Sequence, residues 1–161
     1  MPSRTFTDSV TWYASLPTLY AAAAALITSE PGHVLLVKPN YRDHWSLPGG
    51  ILEHGEPPHA GCAREVAEEL GLDLTPGPLL VVQWVPPDAE RPRPFVFFVF
   101  DGGRTSPGTP IKLQAEELDD YHFVPVEQFP EYLPPFVLAR VSAAVRALET
   151  GVPVYLPADR G

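Results

Sequence analysis

Cysteine is nearly absent from this sequence, because Cys62 is the only one among 161 residues. A single thiol cannot form an intrachain disulfide, and it cannot build a zinc site from several cysteines. Free cysteines are most often buried as small apolar residues. We therefore expect Cys62 to lie in the core and to have no chemical role.

Basic residues are also few, with 11 Lys and Arg against 20 Asp and Glu and a net charge of −9. Binding long nucleic acid requires clustered basic side chains, so we expect no such partner. The apolar run over residues 20–27 is too short to cross a bilayer. The first eight residues lack the apolar stretch of a signal peptide. These features favour a cytoplasmic protein with no membrane partner.

Proline, in contrast, is abundant: 21 of 161 residues, against a usual fraction of about 5%. Most of these prolines lie between apolar runs, where they shape loops without interrupting strands or helices. The apolar content of 45% is enough for one buried core. We predict an N-terminal arm over residues 1–18, with a short helical turn over 8–15, and one domain over residues 19–161.

The pattern of apolar residues predicts several strands and two longer helices. A buried hairpin is predicted from the runs 20–28 and 33–38, which are separated by a Pro-Gly turn. Further strands are expected at 79–85, 94–100 and 121–126, with a tight turn at 47–50 and surface loops at 86–93 and 101–110. Helical spacing predicts helices over 58–70, ending at Gly71, and 135–148, ending at Gly151. This order indicates an α+β fold, a mixed sheet with helices on its faces.

The helix over residues 58–70 carries an unusual acidic cluster. On a helical wheel, Ala63, Val66, Ala67 and Leu70 fall on the side expected to face the sheet. The other side is expected to carry Glu65, Glu68 and Glu69. Like charges at this spacing repel, and Glu68 and Glu69 also lie near the negative end of the helix dipole. A solvated acidic face is the ordinary interpretation, but such faces usually include Lys, and this helix has none.

A longer pattern surrounds these glutamates. Five residues separate Gly50 from Glu56, seven more follow, and residues 64–72 then read REVAEELGL. This pattern resembles the Nudix box, with every specified position filled, including Gly71. The lead-in WSLPGG, ending at Gly50, also matches. The resemblance implies the Nudix fold, an α/β/α sandwich with a mixed central β-sheet.

The resemblance also implies a reaction, the hydrolysis of a diphosphate linkage with Mg²⁺ or Mn²⁺. Such hard cations prefer oxygen ligands and share them with substrate phosphates. By this resemblance Glu65, Glu68 and Glu69 bind the metal or act on the attacking water, and a carbonyl of Gly49 or Gly50 adds a ligand. Arg64 is expected to hold the acidic cluster together, with Glu56 as its partner. The general base stays open between Glu65 and a later loop carboxylate, for which Glu117 is the candidate.

The substrate is much less constrained by the sequence. We expect a small nucleoside diphosphate joined to another moiety: a nucleoside triphosphate or oxidised nucleotide, ADP-ribose, or a nucleotide sugar. Pro87 stands where ADP-ribose hydrolases of the family carry a proline, although Pro86 beside it weakens this match. Candidate aromatic contacts are Tyr41, His44, Trp45 and Trp84. Arg91 and Arg93 are candidates for a distal phosphate, whereas Lys38 and Arg42 are expected to be surface charges.

Two other functions fit the same resemblance. One is a non-catalytic Nudix module that senses a nucleotide or related diphosphate, although such modules often lose box glutamates and none is lost here. The other is an isomerase of isoprenoid diphosphates, which requires an active-site cysteine, and Cys62 within the helix does not suit that role. A homodimer is an arrangement that the sequence leaves open.

Overall fold

The computed structural model describes residues 8–157, which form one mixed sheet of seven strands with helices on both faces. The predicted α+β sandwich is confirmed. The strands are β1 (Tyr20–Thr28), β2 (Val34–Pro39), β3 (Gly49–Ile51), β4 (Leu79–Val85), β5 (Phe95–Arg104), β6 (Leu118–Val124) and β7 (Val154–Leu156). The helices are α1 (Ser9–Ala14), α2 (Pro58–Leu70), α3 (Phe129–Tyr132) and α4 (Pro135–Thr150), with a 3₁₀ turn at Val126–Gln128.

Strand β1 lies at the centre of the sheet, in the order β6-β2-β1-β5-β4-β7. It pairs in parallel with β5 and antiparallel with β2 and β3. Because side chains alternate along a strand, β1 contributes to two cores. Ala24 and Leu26 join the core under α4, whereas Ala23, Ala25 and Ile27 join the core under α2. The small alanine side chains leave room for both helices.

The prediction of a tight turn over residues 47–50 is wrong, because Gly49 and Gly50 belong to strand β3. Strands β1 and β2 meet at Thr28 opposite Val34 and then diverge. The chain re-enters the resulting gap, with Gly49 paired to Ala24. A Cβ at Gly49 would lie 2.3 Å from the carbonyl oxygen of Ala23. Glycine at this position therefore allows a close backbone approach and does not form a turn.

Helix α2 has the predicted bounds but not the predicted faces. Gly71 ends it with a left-handed φ of 65°, and its N–H donates to the carbonyl of Ala67. Ala67 is exposed, and the 3% exposed Glu69 lies among the buried residues. On the wheel Glu69 stands about 20° from Cys62, which is fully buried. The three box glutamates therefore do not all lie opposite the apolar side.

Several boundaries also differ from the predictions. Strand β5 extends to Arg104, into the predicted loop, while β6 begins at Leu118 and α4 ends at Thr150. The apolar side of α4 excludes Phe136 and Leu148, which are exposed. Helix α3 and strand β7 were not predicted.

Helix α1 confirms the helical turn expected in the arm, and none of its residues is buried. Residues 1–7 of the arm lie outside the described range, and the division into an arm and one domain stays a prediction. No helix within residues 8–157 is long and apolar enough to span a membrane.

Candidate active site

Arg64 is the centre of a network that joins α2 to the preceding loop. Its Nε donates to Glu56 Oε1 at 2.8 Å, and its Nη1 donates to Glu65 Oε1 at 2.9 Å and to Glu68 Oε2 at 3.1 Å. Its Nη2 donates to the carbonyl of Ile51 at 3.1 Å. The hydrogen bond from Arg64 lowers the pKa of Glu56 to about 2. The same pairing raises the pKa of Arg64, so Arg64 and Glu56 are both held in their charged forms.

Glu69 has very different surroundings. Its carboxylate accepts one hydrogen bond, from the N–H of Gly49 to Oε2 at 2.9 Å, and no basic side chain within residues 8–157 pairs with it. Burial raises the pKa of Glu69 to about 8, and the nearby charges of Glu65, Glu117 and Glu68 act in the same direction. A buried acid without a counter-charge is costly to fold.

Glu65 lies against the backbone of β3. A Cβ at Gly50 would lie 2.5 Å from the carboxyl carbon of Glu65, so the glycine makes room for this carboxylate. Gly61 has a similar role, because a Cβ there would lie 2.9 Å from Oε2 of Glu56. Burial raises the pKa of Glu65, while its hydrogen bond with Arg64 opposes that shift. Gly50 and Gly61 thus leave room for two carboxylates beside the main chain.

Glu117 precedes β6, and its charge raises the pKa of both Glu65 and Glu69. The chain therefore places four carboxylates in one neighbourhood, those of Glu65, Glu68, Glu69 and Glu117. Across residues 8–157, no three acidic, histidine or cysteine side chains converge closely enough to enclose a metal ion. Arg64 binds oxygens of Glu65 and Glu68, and Gly49 binds Glu69. A bound cation would have to draw these side chains together.

The aromatic residues expected to form one substrate platform do not lie together. Trp45 packs between His122 and Tyr132, with ring centroids 4.7 and 5.3 Å away, beside the core under α4. Trp84 follows Gln83, whose side chain contacts α4. Since successive strand side chains alternate, Trp84 points to the other face of the sheet. The structure therefore keeps Trp45 near the α4 side and separates Trp84 from it.

Among the other candidates, Tyr41 is influenced by the carboxylates. Its side chain is more than half exposed; partial burial raises its pKa, and the charges of Glu69, Glu117 and Glu65 act in the same direction. His44 packs edge-on against Phe136 at 5.6 Å. The guanidinium carbon of Arg42 lies 5.3 Å from the centroid of the Tyr41 ring.

The two arginines expected to bind a distal phosphate both contact other residues of the protein. Arg91 pairs with Asp88 at 2.9 Å and donates to the carbonyl of Pro86. Arg93 lies 5.8 Å from the centroid of the Tyr20 ring. Lys38 donates to the carbonyls of Pro39 and Arg42 and so stabilises the loop after β2.

Arg140 was not singled out from the sequence, yet it is the most unusual cation in the structure. It is 8% exposed, and its Nε donates to Gln83 Oε1 at 2.7 Å. Its guanidinium carbon lies 3.6 Å from the centroid of the Phe97 ring. Burial, with a smaller contribution from the charge of Arg42, lowers the pKa of Arg140 to about 10. One sequence signal existed: Arg140 falls within the apolar spacing of α4, between Val137 and Ala144.

Cys62 is fully buried, as expected. Burial raises the pKa of its thiol to about 12, so the thiolate needed for nucleophilic chemistry does not form near neutral pH. This argues against the cysteine-dependent isomerase.

Comparison with known proteins places this arrangement in a family. The model of the NUDIX domain matches residues 18–145. A MutT-like protein of Streptomyces ambofaciens is 40% identical over 60 residues, which cover 37% of this chain and 39% of that protein. An ADP-ribose pyrophosphatase of Mycobacterium tuberculosis is 37% identical over 67 residues, which cover 38% of this chain and 32% of that protein. The chain thus spans between a third and two fifths of these relatives.

Solved structures share the fold over a longer stretch. The crystal structure of a MutT protein from Methanosarcina mazei Go1 matches with a TM-score of 0.71 at 27% identity. The match covers 84% of this chain and 99% of that chain.

Proposed function

Because this chain belongs to the NUDIX family, we propose that it hydrolyses a phosphoanhydride bond in a small nucleoside diphosphate derivative, using a divalent cation. The main support is Glu69, a buried carboxylate that has no basic partner among the described residues and lies near Glu65 and Glu117. Burial favours the protonated form of this acid, and a bound cation would compensate the charge of its carboxylate form. The match over residues 18–145 supports the same function.

The residues present suit Mg²⁺ or Mn²⁺. These cations prefer carboxylate and carbonyl oxygens, which Glu65, Glu68 and Glu69 and the main chain of Gly49 and Gly50 offer. The strongest sign of fit is the carboxylate of Glu69. It is buried, but among the described residues it accepts only one hydrogen bond, from the N–H of Gly49. When bound, the cation neutralises charge on the phosphoryl oxygens and lowers the pKa of a bound water.

In the proposed reaction a water attacks one phosphorus of the diphosphate, the bridging P–O bond breaks, and a carboxylate takes the proton of the water. Glu65 and Glu117 are the candidates for that base. Burial raises the pKa of Glu65 towards neutrality, which suits a general base. Arg64 is a positioning residue, because it binds Glu65 and Glu68 and also the carbonyl of Ile51.

A pair of neighbouring variants separates the two candidate bases. If Glu117 is the base, Glu117→Gln lowers kcat by about 100-fold or more, whereas Glu116→Gln keeps wild-type turnover. If Glu65 is the base, Glu117→Gln changes kcat by less than about tenfold, and Glu65→Gln gives the large loss. Steady-state kinetics on the best substrate decide between the two outcomes.

The substrate class is proposed on narrower grounds. The M. tuberculosis relative is named for ADP-ribose, and nucleoside triphosphates, oxidised nucleotides and nucleotide sugars share the same linkage. A panel of these compounds and of dinucleoside polyphosphates, incubated with Mg²⁺ or with a chelator, tests the proposal by chromatographic separation of the products. We expect metal-dependent cleavage of at least one compound. Ligand-induced thermal stabilisation without cleavage of any panel member would indicate a sensing module instead.

A further inference from the structure

Arg140, on the α4 face of the sheet, has no role in the proposed reaction. Arg140 is less than one-tenth exposed, stacks on Phe97 and donates from Nε to Gln83. None of the acidic side chains within residues 8–157 forms an ion pair with it. Leaving a charge buried without a counter-ion costs several kcal/mol in principle. Such a residue is retained at this cost when something other than folding requires it.

The unused part of Arg140 is its pair of terminal nitrogens. Neither donates a hydrogen bond to any residue in the range 8–157, and neither is completely sealed from solvent. The guanidinium is planar and presents its terminal N–H groups in a fixed fork that matches a carboxylate or a phosphate. Stacking on Phe97 and the hydrogen bond to Gln83 fix the plane of that fork. The side chain is therefore preorganised for an anion.

Arg42 adds a second positive charge near this region. Arg42 lies near enough for its charge to disfavour the charged form of Arg140. The loop that carries Arg42 is held by Lys38, which donates to the Arg42 carbonyl, and by Asn40, which donates to the Glu116 carbonyl. In a chain with net charge −9 this local positive region stands out.

The sheet register connects this region to the catalytic carboxylates. Ile51, Ala22, Phe97 and Gln83 lie side by side on β3, β1, β5 and β4. Ile51 is in the box, and its carbonyl accepts from Arg64. Phe97, under Arg140, is two strand spacings away, which is about 10 Å. Ile51 and Phe97 share one face of the sheet, so an anion bound by Arg140 would lie about two strand spacings from the end of the box.

We propose that Arg140, stacked on Phe97 and hydrogen-bonded to Gln83, binds an anionic group on the substrate, a phosphate or carboxylate remote from the hydrolysed linkage. This inference rests on the proposed function, since it assigns a second subsite to the same substrate. It implies a preference for substrates that carry charge beyond the diphosphate itself. Arg140 would thus determine specificity, while the carboxylates of α2 perform the reaction.

The test compares two pairs of ligands that differ in one remote anion: ADP-ribose with its 2′-phosphate, and UDP-glucose with UDP-glucuronate. Affinities are measured by calorimetry with the wild-type protein in a chelator, because the proposed hydrolysis requires a divalent cation and turnover then does not interfere. The first pair tests a phosphate and the second a carboxylate. We expect the charged member of at least one pair to bind 10- to 100-fold more tightly, the range for a hydrogen-bonded charge.

Arg140→Met should reduce this preference to about twofold or less, whereas Arg140→Lys should keep part of it. Arg146→Met is the matched control, because Arg146 is an exposed arginine on the same helix, and it should leave the preference intact. Absence of a preference in both pairs, or a preference that survives Arg140→Met, would overturn the inference. Urea unfolding of Arg140→Met establishes that the variant is folded.

The outcomes separate this inference from the proposed function. If the wild-type protein shows the Arg140-dependent preference but cleaves none of the panel, hydrolysis is wrong and the anion subsite stands. If it cleaves panel members and Arg140→Met leaves every preference unchanged, the subsite is wrong and hydrolysis stands.

Discussion

On the α2 face of the sheet Arg64 binds three carboxylates and a carbonyl, whereas on the α4 face Arg140 binds Gln83 and the ring of Phe97. Arg64 compensates its acidic neighbours, so its network contributes to folding as well as to the site. Arg140 lacks an acidic partner within residues 8–157, so its charge is a cost to folding. The difference indicates that one arginine serves mainly to position protein groups and the other to bind a ligand.

The same contrast exists within the acidic cluster. Glu56 is paired with Arg64, and its pKa falls to about 2, whereas Glu69 is buried beside other acids, and its pKa rises to about 8. A site that holds paired and unpaired carboxylates next to each other is prepared for a cation at the unpaired ones. We infer that the α2 face is completed by metal and the α4 face by an anion.

The largest expected effect tests the acids of the proposed metal site. Glu68→Gln and Glu69→Gln should each lower kcat by about 100-fold or more, because each removes a charged group from the proposed metal site. Circular dichroism should show that both variants keep the wild-type fold. Glu149→Gln, an exposed change on α4, serves as the control. Near-normal turnover in both box variants would contradict the proposed role of α2.

The next effect concerns the paired arginine. Arg64→Met should lower the free energy of unfolding by about 2 to 4 kcal/mol, because Glu56 and Glu65 are left uncompensated and mostly buried. Urea unfolding measures the loss, with Arg146→Met as the surface control, for which a change below about 0.5 kcal/mol is expected. A loss for Arg64→Met as small as that of the control would show that the network does not stabilise the fold.

A third prediction uses the raised pKa of Glu69. The folded protein holds a proton on Glu69 up to about pH 8, whereas the unfolded chain releases it near the ordinary value of 4.5. The folded state therefore binds more protons between these values, and its stability should fall as pH rises from 4.5 to 8 in metal-free buffer. Glu69→Gln should reduce this slope. Identical slopes in the two proteins would rule out an uncompensated acid at this position.

The smallest expected effect is on the other arginine. Arg140→Met should change the free energy of unfolding by about 1 kcal/mol or less, or stabilise the protein, because an apolar side chain replaces a buried unpaired charge. Differential scanning calorimetry is a suitable measurement. A loss as large as that of Arg64→Met would remove the contrast and make Arg140 a structural residue.

Much of the fold could be predicted because local signals agreed with tertiary structure. Pro58 and Gly71 fix the ends of α2 through their own backbone preferences, and the box spacing identifies the family from sequence alone. Strand β3 could not be predicted, because Gly49 and Gly50 resemble a turn until the divergence of β1 and β2 is known. Glu69 was placed on the wrong side because a glutamate is not expected in a buried position.

The α4 side of the site escaped prediction for a different reason. Arg140 and Gln83 are 57 residues apart in sequence, and their contact depends on how α4 docks on β4. Trp45 and Trp84 looked equivalent in the sequence, but the alternation of strand side chains places them on opposite faces. Long-range packing, more than local propensity, thus determines where the proposed substrate-binding residues lie.

The most direct measurement for the central claim is Mn²⁺ binding to the wild-type protein and to Glu69→Gln. The electron paramagnetic resonance signal of free Mn²⁺ reports how much of the ion stays unbound. The account predicts that the wild-type protein depletes this signal and that Glu69→Gln binds at least tenfold more weakly, since the buried carboxylate gains its counter-charge from the cation. Equal binding by the two proteins, or no depletion by either, would contradict it.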